Sequence, residues 1–149
     1  MRIYLDTCCY NRPFDAENSE PVRLEKQAII SIFNKARRNS DIIIGSDIIK
    51  MELSSINDIV KKNLVSLLYI NVDEEINHNE SVKIKANFFR SAANVKYKDS
   101  LHIALAEEAK ADIFLTTDYR LIKACKNLSL KMRVFNPADF INLRNGGSL

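Results

Sequence analysis

The stretch Asp112-Ile113-Phe114-Leu115-Thr116-Thr117-Asp118 places three large apolar residues directly before two threonines and an aspartate. A short, uniformly apolar run of this kind is typical of a parallel strand that is covered on both faces. The same order occurs at the start of the chain, where Arg2-Ile3-Tyr4-Leu5 is followed by Asp6. Parallel strands end at one edge of a sheet, and open α/β sheets bind their ligands there. We therefore expect Asp6 and Asp118 to lie at that edge.

The rest of the chain alternates short apolar runs with longer amphipathic segments. The runs predict strands over residues 2–5, 41–45, 68–72, 112–116 and 133–135. The longer segments predict helices over 22–38, 57–67, 74–92, 99–110 and 119–126, a further helix capped by Ser46 and Asp47, and a terminal helix opened by Pro137. This alternation predicts an α/β fold, a three-layer α/β/α sandwich around a central, mostly parallel sheet. We expect a single domain over residues 3–142 and a flexible tail over 143–149.

The composition narrows the class of protein. The chain has 149 residues, of which 46% are hydrophobic and 28% charged, which suits one folded domain with a substantial core. No apolar run approaches the roughly 18 residues of a membrane span, so a membrane protein is not expected. Three cysteines are too few for a disulfide framework. Asp6 lies where a signal peptide would still be apolar, so we expect a cytoplasmic location. The net charge of +3 permits an anionic partner without requiring one.

Two further acids occupy positions that a surface acid would not be expected to occupy. Glu52 follows Ile48 and Ile49 by four and three residues and precedes Ile56 by four, a spacing that places it on the apolar face of a helix. Asp99 opens a segment whose first two turns are almost wholly apolar. Since Glu is rarely buried without a partner, these positions need an explanation.

Four such acids in one α/β domain favour a metal site. Carboxylate oxygens are hard ligands, and they favour Mg²⁺ or Mn²⁺ over zinc. The alternative for Asp99 and Asp118 is that each simply caps a helix. For either residue alone the two interpretations are about equally good.

The ordered set of these segments resembles the PIN domain family, which includes toxin nucleases of the VapC type. The likeness spans almost the whole chain. Four segments carry it: Ile3-Tyr4-Leu5-Asp6-Thr7, Gly45-Ser46 through Glu52-Leu53, Lys98-Asp99-Ser100-Leu101-His102-Ile103-Ala104, and Leu115-Thr116-Thr117-Asp118.

The resemblance implies a PIN-like fold and a metal-dependent endoribonuclease that cleaves single-stranded RNA with a metal-activated water. It implies metal-binding and catalytic roles for Asp6, Glu52, Asp99 and Asp118, with Thr117 or Thr116 near the phosphate. A toxin of a toxin–antitoxin pair would bind an antitoxin protein, and we also expect a homodimer.

Other residues near these motifs are candidates for substrate contact. Asn11 and Arg12 would touch the RNA or form part of a lid, although a purely structural turn explains them equally well. Lys98 would steer phosphate or offset the repulsion among the acids. His102 is expected to be a core histidine rather than a group that supports the site. Cys8 and Cys9, close to Asp6, are expected to line the pocket without reacting.

Two other functions compete with the nuclease. The first is a PIN-like module that binds protein or RNA without cleaving it, but such a scaffold has no need for four uncompensated acids. The second is a phosphohydrolase that forms an aspartyl-phosphate on Asp6. That chemistry calls for a second aspartate two residues further on, where this chain has Cys8.

Overall fold

Five strands, all parallel, form one sheet in the computed structural model, which describes residues 1–149. The strands are β1 (Arg2–Leu5), β2 (Ile42–Ser46), β3 (Glu74–Ile76), β4 (Ile113–Leu115) and β5 (Arg133–Phe135). They run in the order β3-β2-β1-β4-β5, so the first strand lies at the centre of the sheet. Leu5 pairs with Leu115 across the two strands β1 and β4, and Ile3 pairs with Ile43 across β1 and β2.

Eight α-helices and one 3-10 turn connect and flank the strands. Most of the helices begin at a side chain that accepts a backbone N–H of the first turn, as Ser46 does for Ile49. No helix is both long enough and apolar enough to span a lipid bilayer. The elements are α1 (Thr7–Asn11), the 3-10 turn (Arg12–Phe14), α2 (Glu20–Lys35), α3 (Asp47–Ser54), α4 (Ile59–Tyr69), α5 (Glu80–Ala93), α6 (Tyr97–Glu108), α7 (Tyr119–Cys125) and α8 (Pro137–Asn145).

The direction of the chain through the sheet reverses at β1. From β1 the chain moves outward to β2 and β3, then returns to the other side of β1 to form β4 and β5. Since crossovers between parallel strands are right-handed, this reversal places helices on both faces of the sheet. The predicted three-layer α/β/α fold with a parallel sheet is therefore confirmed. The carboxyl ends of β1 and β4 therefore meet at the point where open α/β sheets form their ligand-binding crevice.

The sequence prediction was wrong between residues 68 and 92. The predicted strand over 68–72 is the end of α4 and the turn after it, and the strand β3 instead begins at Glu74. The backbone N–H of Asp73 donates to Ile43 O, and its carboxylate accepts from Ile43 N, which ties this edge to β2. The long helix predicted from Glu74 begins only at Glu80, because Asn79 caps α5 by accepting from Val82 N.

The start of α6 and the end of the chain also differ from expectation. α6 begins at Tyr97, so Asp99 lies in the first turn and does not cap the helix. α8 continues to Asn145, inside the stretch 143–149 that was expected to be a tail. Leu149 is partly buried and packs against the core.

Candidate active site at the carboxyl edge of β1 and β4

Asp6 lies in the crevice beside the central strand. Its backbone N–H donates to Leu115 O at 2.9 Å, and its side chain is buried. The carboxylate accepts hydrogen bonds from Thr7 N at 2.7 Å and from Thr116 Oγ1 at 3.0 Å, and Cys8 Sγ lies 3.6 Å from it. All of these donors are neutral. Asp6 is therefore held in place by neutral donors and has no Lys or Arg ion pair.

Glu52 reaches the same crevice from α3. Its Oε1 accepts a hydrogen bond from His102 Nε2 and another from Thr7 Oγ1 at 3.3 Å. Burial alone would raise the pKa of Glu52, but the hydrogen bond and positive charge of His102, with Thr7 and Lys98, leave that pKa lowered. Glu52 therefore stays ionised at the edge of the sheet.

Asp99 and Asp118 complete the acidic group. Burial raises the pKa of Asp99, and the negative charges of Asp6 and Asp118 raise it further, with His102 and Lys96 opposing. Neither Asp99 nor Asp118 forms an ion pair. Asp118 Oδ1 accepts from Arg120 N at 2.9 Å and Leu121 N at 3.2 Å, so it does cap α7. The cap leaves Asp118 exposed and electrostatically coupled to Asp99.

The structure brings the four acids to one edge of the sheet but not into a closed coordination shell. As the side chains are placed, no three His, Cys, Asp or Glu residues lie close enough together to hold one metal ion. The donors nevertheless suit a hard divalent cation, because they are carboxylates with little positive charge near them. The pKa of Asp99 is raised first by burial and then by the negative charges of Asp6 and Asp118.

The residues predicted to contact the substrate lie around the four acids and differ in exposure and hydrogen bonding. Thr117 is half-buried, and its backbone N–H lies 3.4 Å from Cys8 Sγ. Asn11 Nδ2 donates to Thr7 O at 3.3 Å. Lys98 is exposed in the first turn of α6, and its charge acts on Glu52.

Arg12, the first residue of the 3-10 turn, forms ion pairs with two acids. Its guanidinium contacts Asp15 and the buried Glu25, each at 3.1 Å. Glu25 also accepts from Asn136 Nδ2 at 2.6 Å. These contacts join the turn to α2 and to the start of α8, and they favour the structural explanation of Arg12 that the sequence left open.

The cysteines differ in their surroundings. Cys8 Sγ lies beside Asp6 and 3.5 Å from Thr116 Oγ1, so it lines the crevice as predicted. Cys9, which was predicted to line it too, is fully buried, and its thiol donates to Leu115 O at 3.4 Å. Burial raises the pKa of Cys125 to about 12 and holds the pKa of Cys9 well above its usual value. Both buried residues are therefore thiols at neutral pH, and they are unreactive in that form.

The interpretation of His102 as a core histidine missed its contacts. Although the residue is buried, its ring connects Glu52 to Tyr4, and its Nε2 lies 3.8 Å from Asp6 Oδ1. Burial alone would lower the pKa of His102, but the hydrogen bond to Glu52 and the charges of Asp6 and Glu52 leave it raised. The only signal in the sequence is the three-residue spacing from Asp99, which places both residues on one helix face.

Comparisons with known proteins bear on the fold. No protein-family model matches the chain, and no curated protein matches it. Chains of solved structures do match it. One is VapBC2 from Rickettsia felis bound to a DNA fragment from its promoter, with a TM-score of 0.62 and 16% identity over 91% of this chain and 98% of that chain. Another is VapBC-1 from nontypeable Haemophilus influenzae, with a TM-score of 0.56 and 17% identity over 92% and 98%.

The TM-scores and the coverage establish the architecture of the chain. The structural likeness covers nearly the full length of both chains. The chain therefore has the PIN-like α/β fold that its four sequence segments predict.

Proposed function

We propose that the protein is a metal-dependent endoribonuclease that cleaves single-stranded RNA at the carboxyl edge of β1 and β4. One observation carries the proposal. A buried aspartate at the point where the sheet reverses direction lies with three further carboxylates that have no Lys or Arg partner. Such a concentration of negative charge is costly in a fold that does not use it.

The residues would divide the work as follows. Asp6, Glu52, Asp99 and Asp118 would hold Mg²⁺ or Mn²⁺. A bound ion of this kind supplies stabilisation of the phosphate charge and lowers the pKa of an attacking water. Thr116 and Thr7 fix the orientation of the Asp6 carboxylate through their hydrogen bonds. Thr117, Asn11 and Lys98 are the proposed substrate contacts, and Lys98 has the most exposed position among them. The guanidinium of Arg12 is held by Asp15 and Glu25 and is assigned to the structure of the turn.

A PIN-like module that binds protein or RNA without cleaving it is the second candidate. The observation that favours it is the pairing of Glu52 with His102, which already neutralises part of the acidic group. Asp99 and Asp118 have no such partner, so the nuclease remains the better explanation.

The experiment is cleavage of labelled single-stranded RNA by the purified protein, with millimolar Mn²⁺ or Mg²⁺ and, separately, with EDTA. We expect cleavage with metal and none with chelator, and no change on Cys8→Ser, because the thiol only lines the crevice. A duplex RNA of the same sequence serves as the substrate control. RNA that is bound but never cut under any metal condition would favour the binding module.

Partner proteins are part of the same proposal. We propose that the protein is a VapC-type toxin that binds an antitoxin and forms a homodimer. The proposal is supported by the likeness to chains of two VapBC structures. It is also supported by large apolar side chains on and beside α4 that are mostly exposed, namely Ile59 at 68%, Leu67 at 62% and Ile70 at 74%. Exposed apolar patches of this kind commonly mark interaction surfaces.

A further inference from the structure

A buried chain of hydrogen bonds leads from the base of α3 to the acidic group. Ser46 Oγ and Tyr4 Oη lie 2.9 Å apart, Tyr4 Oη and His102 Nδ1 lie 2.7 Å apart, and His102 Nε2 contacts Glu52 Oε1. Ser46, Tyr4 and His102 are each at most 2% exposed. The chain therefore runs entirely through the interior until it reaches Glu52.

The contact with Glu52 fixes the donor at one end of the chain. A carboxylate can only accept, so His102 Nε2 must carry a hydrogen. Nδ1 accepts from Tyr4 Oη when the ring is neutral and donates to it when the ring is charged, and the contact between Tyr4 Oη and Ser46 Oγ reverses with it. The chain is satisfied in both states, and in both Tyr4 fixes which nitrogen of His102 faces the acids.

Both ends of the chain lie on α3. Ser46 caps that helix by accepting from Ile49 N at 3.1 Å, and Glu52 lies in its second turn. The middle of the chain lies on β1 and α6, where the Tyr4 ring stacks on Phe114 with the centroids 5.6 Å apart. A rotation of α3 would have to break the contact at Glu52, so the chain fixes the direction of that carboxylate relative to Asp6.

Only one oxygen of Glu52 is used in this way. Oε1 accepts from His102 and Thr7, whereas Oε2 has no hydrogen bond within the protein. Ligating carboxylates in metal sites are commonly held by hydrogen bonds of this kind, and the partners that hold them strongly affect metal affinity.

We propose that His102 is a positioning residue that orients Glu52 for metal binding, and that Tyr4 fixes the orientation of the His102 ring. This inference rests on the proposed function, because it assigns a role toward the ion of that same site. His102 does not bind the ion or the substrate. It holds Glu52 Oε1 so that Oε2 faces the crevice with Asp6, Asp99 and Asp118.

The test is Mn²⁺ affinity measured by titration calorimetry on the purified protein, beside the Mn²⁺ concentration that gives half-maximal RNA cleavage. Removing the partner of a ligating group typically weakens metal affinity or activity about 10- to 100-fold. We expect His102→Leu to weaken Mn²⁺ binding by that factor and Tyr4→Phe to weaken it by less. His102→Gln, whose amide offers a donor to Glu52, should recover part of the affinity.

The matched control is Tyr10→Phe. Tyr10 is also fully buried, but its hydroxyl has no hydrogen-bond partner, so its loss should leave Mn²⁺ affinity unchanged. Wild-type affinity in both Tyr4→Phe and His102→Leu, or in Tyr4→Phe if His102→Leu does not fold, would overturn the positioning role alone, provided that metal-dependent cleavage is intact in the wild type. No Mn²⁺ binding and no cleavage by the wild type would instead overturn the proposed function, and this inference with it.

Discussion

Asp6→Asn and Asp99→Asn are each expected to reduce metal-dependent RNA cleavage by more than about 100-fold. Loss of a residue that only supports a metal ligand typically lowers activity by up to about 100-fold, and these two residues are proposed to be ligands themselves. Asparagine keeps the shape of the side chain but removes the negative charge that attracts a hard cation. Asp6 is already held by Thr7 N and Thr116 Oγ1, so the substitution should leave the backbone in place. Initial rates on one labelled RNA, at saturating Mn²⁺, give the comparison.

The matched control is Asp139→Asn, because Asp139 is an exposed aspartate in the first turn of α8. Its cleavage rate should equal that of the wild type. Circular dichroism of all variants separates lost chemistry from lost structure. If Asp6→Asn and Asp99→Asn cleave at the wild-type rate, while replacing Cys8 and Cys9 with serine abolishes cleavage, then the reaction depends on a thiol and not on the acids.

Metal is expected to raise the melting temperature of the wild type by about 5–10 °C. An ion that binds only the folded state stabilises it by about 2.7 kcal/mol at a concentration of 100 Kd. In a domain of this size about 1 kcal/mol corresponds to a shift of about 2–4 °C. The bound cation would also offset the mutual repulsion that raises the pKa of Asp99.

Asp99→Asn should behave differently in the same melting experiment. A carboxyl whose pKa is raised on folding is disfavoured in its ionised form, so removing that charge stabilises the metal-free fold at any pH where Asp99 is ionised. The variant should melt about 2–4 °C higher than the wild type in EDTA, and no more, since Asp99 is partly exposed and water screens the repulsion. It should gain little from Mn²⁺. Equal responses of wild type and Asp99→Asn to metal would remove Asp99 from the site.

The sequence was most informative where strands are buried on both faces. β1, β2 and β4 consist of mostly apolar runs whose ends are marked by polar residues, and their predicted positions agree with the structure to within a residue or two. The acids that follow β1 and β4 could then be placed at one edge without knowledge of tertiary contacts. Glu52 was predictable for a different reason, because helical periodicity alone puts it on the inward face of α3.

Prediction from the sequence failed at the edge of the sheet that β3 forms. β3 contains Glu74, Glu75 and Ile76, and two charged residues in an edge strand look like the start of a solvated helix. Arg2 explains part of this pattern, because its guanidinium contacts Glu74 at 2.8 Å across the sheet. Pairing with β2 decides the conformation here, and a sequence pattern does not contain that information.

The hydrogen-bond chain through His102 was also beyond the sequence. Tyr4 lies among apolar residues of β1, and His102 lies among apolar residues of α6, so each alone resembles an ordinary core residue. Their contact joins residues 98 positions apart. Only the packing of α6 against β1 reveals that the two polar groups meet and continue to Glu52.

The most direct test of the central claim is anomalous X-ray diffraction from crystals grown with Mn²⁺. The account predicts an anomalous peak in the crevice at the carboxyl ends of β1 and β4, with carboxylate oxygens of Asp6 and Asp99 among its nearest neighbours. Asp99→Asn crystals grown in the same way should show that peak weakened or absent. A well-ordered crevice without a peak at saturating Mn²⁺, in crystals of protein that cleaves RNA with Mn²⁺, would contradict the assignment of the four acids as the metal site.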